Sequence, residues 1–531
     1  MDIYLDANAT TPVLAQARQA ALAAMAEDFG NPSSVHSTGL KARALMDATR
    51  ARARRVLGVQ SGQLLFVSGA TEGIQTAVLS ALHALRQRRA AGEAVGELLL
   101  YGATEHKAVP EALRHWNDLL GLGCTLQAIP VGSDGRHDLD WLRAHAARAG
   151  LVCTMAANNE TGVVSDLVGI AAALGGQTGR SGYWMVDGVQ GLGKLDLHLQ
   201  ALGIDYAPFS GHKLYAPKGI GLLYVREGAP FTPLIAGGGQ EGSLRSGTEN
   251  MSGIAALGAV LAALEDEEGQ GCFRDGATLQ RFRLRLLEAL RAAFPELVLN
   301  APLETSLPTT LNFAVPGTPS KLLLDLFDAA DVRVSGGSAC SAAKAAPSFV
   351  LEAMGLPAWQ TAGAIRMSFG PVVDEGFIAE ACARIRACGE ALRVSREAEE
   401  AAPVTAQAPA GAGEAPRVLD PKGLSELLAG RPDTLLLDVR ELYEQRLTQA
   451  PRFEAGTRVL AMPLSRLLSE PPAQWGLPPA SALVCFCRSG NRSAQAALAL
   501  ARAGHAQVFT LAGGLALWPR PEPSFDAALY V

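Results

Sequence analysis

Gly182-Tyr183-Trp184-Met185-Val186-Asp187 is an apolar run that stops on an acid, and about two dozen residues later a second apolar approach stops on Ser210-Gly211-His212-Lys213. A third run, Gly221-Leu222-Leu223-Tyr224-Val225, follows Ala216-Pro217-Lys218-Gly219. Short apolar runs of this length read as buried strands, and an acid or a lysine just past a strand lies where open α/β sheets bind ligands. Working outward, Leu64–Val67, Glu97–Tyr101 and Leu151–Thr154 are further predicted strands. Ala/Leu-rich stretches with helical periodicity, such as Thr71–Arg89 and Leu139–Ala149, lie between them. Strand–helix alternation implies a mainly parallel sheet covered by helices. Gly276–Phe294 reads as a long amphipathic helix opening a smaller C-terminal subdomain.

The clearest break is Ser395–Pro416, which has one Val and no Leu, Ile or aromatic residue and so offers no face to a core. Its Pro/Ala/Gly content reads as a flexible linker over 395–416, spanning roughly 25 Å r.m.s. as a coil. Beyond it, Leu435–Asp438, Ala482–Phe486 and Gln507–Thr510 are predicted strands, with helices near Gly423–Leu428 and Ala494–Ala503. The expected organisation is therefore a large unit at 1–394, the linker, a small α/β unit at 417–523 and a tail at 524–531.

Composition narrows the function. The 531 residues are 48% hydrophobic and 18% charged, a globular balance. The net charge of −6 has no basic footprint, so no direct nucleic-acid partner is expected. The most apolar stretch, Gly253–Leu264, is too short for a membrane span, which needs ~20 residues. The start, Met1-Asp2-Ile3-Tyr4-Leu5-Asp6, has no basic and apolar leader pattern, so a cytoplasmic protein is expected. Eight cysteines without a C-x-x-C pair suggest neither a disulfide scaffold nor a metal site.

Several features of the large unit carry chemistry. A lysine in a tight turn past a strand, like Lys213, can be desolvated and condense with a carbonyl; taken alone it also reads as a surface lysine. Asp187 could pair with a protonated ring nitrogen, or cap a helix. Ser68-Gly69-Ala70-Thr71-Glu72 joins a strand to a helix whose N–H groups could hold a phosphate, or is an ordinary Thr/Glu cap. His106, in Thr104-Glu105-His106, could stack on a flat ring or be structural, and Asn159, in Asn158-Asn159-Glu160-Thr161-Gly162, could hydrogen-bond a ring hydroxyl.

Together, and in this order, these motifs resemble a fold-type I pyridoxal-phosphate enzyme of the class V aminotransferase group, and more closely the cysteine desulfurases. Tyr4-Leu5-Asp6-Ala7-Asn8-Ala9-Thr10-Thr11-Pro12, Gly30-Asn31-Pro32-Ser33-Ser34 and Arg245-Ser246-Gly247-Thr248 look like further motifs of that family. The resemblance implies pyridoxal 5'-phosphate held covalently by Lys213, Asp187 at its ring nitrogen and His106 over its ring. It places Gln190 and Asn159 at the ring oxygen. Ala70, Thr71, Ser210, His212 and, from the other subunit of a homodimer, Thr248 would hold the phosphate, with Gly211 keeping the turn tight.

Ser335-Gly336-Gly337-Ser338-Ala339-Cys340-Ser341-Ala342-Ala343-Lys344-Ala345-Ala346-Pro347 is a run of small residues around one cysteine without the apolar bulk that flanks a core thiol. In the family such a loop carries the sulfur-accepting cysteine, which must reach substrate and then a partner. Arg366 matches the family arginine that grips the carboxylate of L-cysteine with a bidentate fork, and Asn31 would join it at the substrate.

In the small unit, Cys487-Arg488-Ser489-Gly490-Asn491-Arg492-Ser493 follows a strand and opens a helix. Successive N–H groups, the helix dipole and two arginines would lower a thiol pKa and hold a persulfide. Cys485, two residues back, reads as buried and inert. The loop resembles the rhodanese active site, and Leu437-Asp438-Val439-Arg440-Glu441 and Leu511-Ala512-Gly513-Gly514-Leu515-Ala516-Leu517-Trp518-Pro519 match that family's entry and exit motifs. The middle departs, with Ala455–Ala461 in place of a Gly-His-Ile-Pro-Gly-Ala stretch.

The implied activity is conversion of L-cysteine to L-alanine, with sulfur on Cys340 passed to Cys487 and on to an acceptor protein or small molecule. Iron–sulfur cluster assembly, tRNA thiolation and thio-cofactor synthesis are all open destinations. The alternative is a selenocysteine lyase-like enzyme whose small domain only docks an acceptor.

Overall fold

The computed structural model describes residues 2–176, 182–265, 272–336, 347–400, 416–451, 453, 456–478 and 480–518. After a short first strand, β1 (Ile3–Tyr4), come the seven strands of the main sheet: β2 (Gln63–Val67), β3 (Leu98–Gly102), β4 (Thr125–Ile129), β5 (Ala149–Met155), β6 (Tyr183–Asp187), β7 (Tyr206–Ser210) and β8 (Gly221–Val225). Their order is β2-β8-β7-β6-β5-β3-β4. β3 to β7 run parallel, and β8 is antiparallel to both of its neighbours. β5, β7 and β8 are buried along their whole length, as strands covered on both faces must be, which explains their mostly apolar sequence.

The expected strands are all present, each within two residues at either end. β4 was not anticipated: Thr-Leu-Gln-Ala-Ile mixes polar and apolar residues, and it lies at the sheet edge, half-exposed. The helix expected over Leu139–Ala149 ends at His145, because Ala149 already belongs to β5. The apolar stretch near 253–264 is a helix, Met251–Leu264, packed into the main core. Among the described residues no helix is long and apolar enough to cross a membrane.

The helix Gly276–Ala293 does open a second layer. There β9 (Val298–Leu299), β10 (Thr310–Ala314), β12 (Ser335–Gly336) and β13 (Ile365–Ser368) form an antiparallel sheet ordered β12-β13-β10-β9, and β11 (Val332–Arg333) pairs with β1. Ile3 and Leu5 share an apolar cluster with Phe282, Phe313, Phe327, Phe369 and Ile385. The N-terminus therefore belongs to this subdomain before it crosses to the main sheet.

The large unit, expected to end before Ser395, continues as the helix Glu375–Glu400, six residues into the stretch read as linker. Ser-Arg-Glu-Ala-Glu-Glu contains strong helix formers, and Ser395 is buried, so propensity and packing both extend the helix. The remainder, 401–415, lies outside the described residues. The small unit is a parallel sheet of β14 (Arg417–Leu419), β15 (Leu435–Asp438), β16 (Arg458–Ala461), β17 (Leu483–Phe486) and β18 (Val508–Leu511), ordered β14-β18-β17-β15-β16.

Phe313 is fully buried in the centre of the subdomain sheet. Phe313→Ala is expected to cost about 3–5 kcal/mol, read as a lowered urea midpoint for that subdomain. An unchanged midpoint would contradict this packing.

Candidate active site

The carboxyl ends of β5, β6 and β7 open onto a cavity of about 540 Å³. Its lining includes Ala70, Thr71, His106, Asn159, Asp187, Gln190, Ser210, His212, Lys213 and Arg366. Residues far apart in sequence are thus brought together as expected. Gly211 is buried beneath the turn, where an added Cβ would crowd Ala216 and Ile220 at about 3.0–3.1 Å.

Lys213 closes a short 3-10 turn directly after β7, and its Nζ donates to the carbonyl oxygens of Asn8 and Ala9, both at 2.7 Å. Asp187 ends β6 with its Oδ1 accepting from Val189 N–H at 2.9 Å. Burial pushes its carboxyl pKa up, against the opposing pull of the Val189 N–H, His106 and Lys213. His106 accepts Ala108 N–H on Nδ1 at 3.2 Å, which leaves Nε2 to carry any proton of the neutral ring. Desolvation pushes its pKa down against the opposing pull of Asp187, and Lys213 and Lys107 add to the lowering. His212 is held down to about 4 by desolvation and two nearby lysines, and its Nδ1 lies 3.1 Å from Thr10 Oγ1.

Gln190 is oriented from behind. Lys194 Nζ donates to its Oε1 at 2.8 Å, so Nε2 is directed toward Asn8, whose carbonyl accepts at 3.3 Å. Burial of the Lys194 amine, then the charge on Lys213, pushes its pKa down to about 7. Neighbouring Asn158 is structural: its Oδ1 accepts from Glu160 and Thr161 N–H, and its Nδ2 donates to Thr104 O.

The helix Ala70–Ala90 starts at Gly69 without a side-chain cap, leaving its first N–H groups at the cavity wall. Such a terminus favours an anion. Across the cavity, Arg366 is 1% exposed. Its Nη2 donates to Asp6 Oδ1 at 2.5 Å and its Nη1 to Asn159 O at 3.1 Å, while Nε has no partner among the described residues. Asp6 also accepts Ser335 Oγ at 2.6 Å. Asp6 and Asn8 were visible in the sequence only as part of a motif. Their parts here, a carboxylate on Arg366 and a carbonyl on Lys213, could not be read from residue type.

Two expected residues stand apart. Thr248 is exposed and does not line this chain's cavity. Asn31 is also exposed, with its Oδ1 accepting Ser33 N–H at 2.8 Å. Cys340 lies outside the described residues.

The small unit has its own site. Cys487 is fully buried at the end of β17, and its Sγ accepts Gly490 N–H at 3.2 Å and Ser493 N–H at 3.4 Å. Gly490 has φ +93°, which turns its N–H inward and opens the helix Asn491–Arg502. Leu515 and Ala516 N–H groups bind the carbonyls of Cys487 and Arg488 at 2.8 Å, so the exit motif holds the loop. An added Cβ on Gly514 would meet Cys487 O at 2.2 Å. The arginines differ from expectation. Arg492 forms an ion pair with the buried carboxylate of Glu444, and Arg488 pairs with Asp325 and Asp328. Both guanidiniums are engaged by carboxylates, so the N–H groups and helix terminus make the thiol's surroundings. Burial pushes the Cys485 thiol up, as its inert reading requires.

Among the described residues no cluster of His, Cys, Asp and Glu could hold a metal. His137, buried below Gly102, has no hydrogen-bond partner on either ring nitrogen among the described residues, and desolvation lowers its pKa to about 4. Its proton is bound more weakly in the folded chain than in the unfolded one. Its contribution is therefore present above pH ~6.5 and is lost as pH falls toward about 4. His137→Leu is expected to remove about 3 kcal/mol of the acid-side loss, read from urea midpoints between those pH values. Parallel pH profiles for the two proteins would contradict this.

The aminotransferase class-V family model matches residues 3–376, and the rhodanese-like domain model matches residues 420–520. A cysteine desulfurase of Sinorhizobium fredii is 36% identical over 397 residues, covering 74% of this chain and 98% of that protein. One from Cereibacter sphaeroides is 39% identical over 370 residues, covering 69% and 90%. Among solved structures, a NifS-like protein is similar with a TM-score of 0.65 at 31% identity, covering 74% of this chain and all of that one.

Proposed function

Because the chain belongs to the class-V aminotransferase family, within it to the cysteine desulfurases, and carries a rhodanese-like domain, we propose that its two sites form one sulfur relay from L-cysteine through Cys340 to Cys487. The enzyme is pyridoxal-phosphate-dependent, and the cavity fits that group. The uncapped helix start would hold a phosphate, the buried Asp187 would pair with a ring nitrogen, and the Lys213 amine would carry the group. The proposed holders are Lys213, Asp187, His106, Gln190, Asn159, Ala70, Thr71, Ser210 and His212. When bound, the cofactor withdraws electrons from the substrate's α-carbon.

The chain's own residues do the rest. A ring cation beside Asp187 would offset the burial that raises its pKa and keep it ionised. The Lys194-oriented amide of Gln190 presents donors toward the cavity. Arg366, with its free Nε donor, receives the substrate carboxylate, and Asp6 holds its fork in place. With its Nδ1 accepting from Ala108 N–H, His106 is placed to carry a proton on Nε2. The Cys340 thiolate takes the substrate's sulfur as a persulfide. The electron pair of the broken C–S bond stays with the amino acid, and a proton there completes L-alanine. A Cys487 thiolate then takes the terminal sulfur, Cys340 leaves as thiolate, and the Gly490 and Ser493 N–H groups hold the new persulfide.

The single observation that carries the second step is the pair of backbone N–H groups, from Gly490 and Ser493, aimed at Cys487 Sγ. A docking-only domain has no use for it, and the selenocysteine lyase-like alternative is not favoured by relatives that are cysteine desulfurases. The proposed division is 1–394 for the desulfurase, 395–416 for the connection, whose first six residues extend the helix Glu375–Glu400, 417–523 for the rhodanese domain and 524–531 for a tail. A cytoplasmic homodimer is the proposed setting. Free thiols throughout the described residues support the first, and Thr248, exposed and off its own cavity, supports the second.

Mass spectrometry after L-cysteine treatment locates each added sulfur. Cys340→Ala is expected to abolish sulfur on Cys487, and equal labelling in that variant would refute the relay. Arg366→Lys, which loses the fork, is expected to raise KM for L-cysteine by roughly tenfold or more, and an unchanged KM would remove Arg366 from the substrate site.

A further inference from the structure

The helix Ser320–Ala329 ends with Asp325 and Asp328 three residues apart, hence on one face. Carboxylates near the C-terminal, negative end of a helix are unfavourable on their own. Arg333 offsets part of this at Asp328, at 2.6 Å. Asp325, 9% exposed, has among the described residues only one ion-pair partner, and it comes from the other domain.

That partner is Arg488, the residue after Cys487. Its Nη1 lies 2.9 Å from Asp328 Oδ2 and its Nη2 3.5 Å from Asp325 Oδ1. Three further contacts surround the pair. The helix Leu442–Leu447 packs on Ser320–Ala329 and on Glu375–Glu400. Tyr443, 6% exposed, sits in the apolar cluster of the desulfurase subdomain beside residues such as Phe327 and Ile385. Thr448 Oγ1 donates to Ala329 O. Arg492 and Glu444 pair just behind Arg488, with Tyr443 and Asp325 close by.

We propose that the acidic face of Ser320–Ala329 is the docking site for the rhodanese loop of the same chain, with Arg488 as the cation that it recognises and Tyr443 as the apolar anchor. The same helix packs against β12, and Cys340 follows Gly336 by four residues of chain. Docking therefore brings the receiving loop to the element from which the donor segment departs. This consequence, though not the dock itself, rests on the relay proposed above. A linker alone would supply only a high local concentration; the dock adds orientation.

The test uses the full-length holoenzyme with Asp325→Lys and, as a milder change, Asp325→Asn. Hydrogen exchange is followed in peptides covering 442–447 and 320–329, alanine release is measured in parallel, and sulfur on Cys487 is measured after L-cysteine. Asp325→Lys is expected to raise exchange in 442–447 and to lower sulfur arriving on Cys487, each by at least about fivefold, with alanine release unchanged. Asp325→Asn is expected to give smaller changes in the same direction. Adding Arg488→Asp to Asp325→Lys is expected to restore protection of 442–447. Unchanged exchange in both single variants overturns the dock, whatever happens to sulfur. Exchange that rises as expected in a protein whose Cys487 takes no sulfur even in the parent form supports the dock and refutes the relay.

Discussion

The amine of Lys213 rests against two backbone carbonyls, Asn8 and Ala9, and the rest of the site depends on that clamp. The lysine belongs to the main sheet, at the end of β7, while the carbonyls belong to a segment that begins in the small subdomain. Two residues upstream, Asp6 binds Arg366 and Ser335. A single crossing segment therefore aligns Lys213, Arg366 and Ser335, the residues to which the proposed cofactor, substrate and sulfur-accepting roles attach. Carbonyls hold an ammonium without neutralising it, so the lysine keeps its position and gives up the contact when its amine reacts.

The second site solves a different problem, namely how to stabilise sulfur anion on a buried thiol. Backbone N–H groups, the helix dipole and two arginines were the expected answer together, but both arginines are tied to carboxylates. Backbone N–H groups remain, aimed by a left-handed glycine at the start of a helix. These dipoles are fixed at folding and need no reorganisation when charge arrives. The arginines are thereby freed for structure: Arg492 anchors Glu444 inside the domain, and Arg488 reaches across to Asp325 and Asp328.

Much of this was legible because strand ends and their following turns concentrate chemistry. Asp187, Lys213, His106 and Cys487 each stand just beyond a run of apolar residues, and the fold places them where that pattern says. What stayed hidden was backbone and long-range work. Nothing in the identity of Asn8 or Ala9 announces a carbonyl facing a lysine 205 or 204 residues away. β4 was invisible because an edge strand need not alternate cleanly. The helix past Ser395 was missed because a lack of large apolar residues was read as a lack of structure, although Glu, Ala and Arg favour helix without them. The partners of Arg488 and Arg492 come from elsewhere in the chain, and no local motif records them.

The central claim is that Lys213, and no other lysine, carries the cofactor. Borohydride reduction of the purified protein, followed by peptide mapping, tests it most directly. A pyridoxyl mass confined to the peptide containing Lys213 is the expected result. A protein that takes up no such mass, or takes it up on Lys194 or Lys218 instead, would contradict the account.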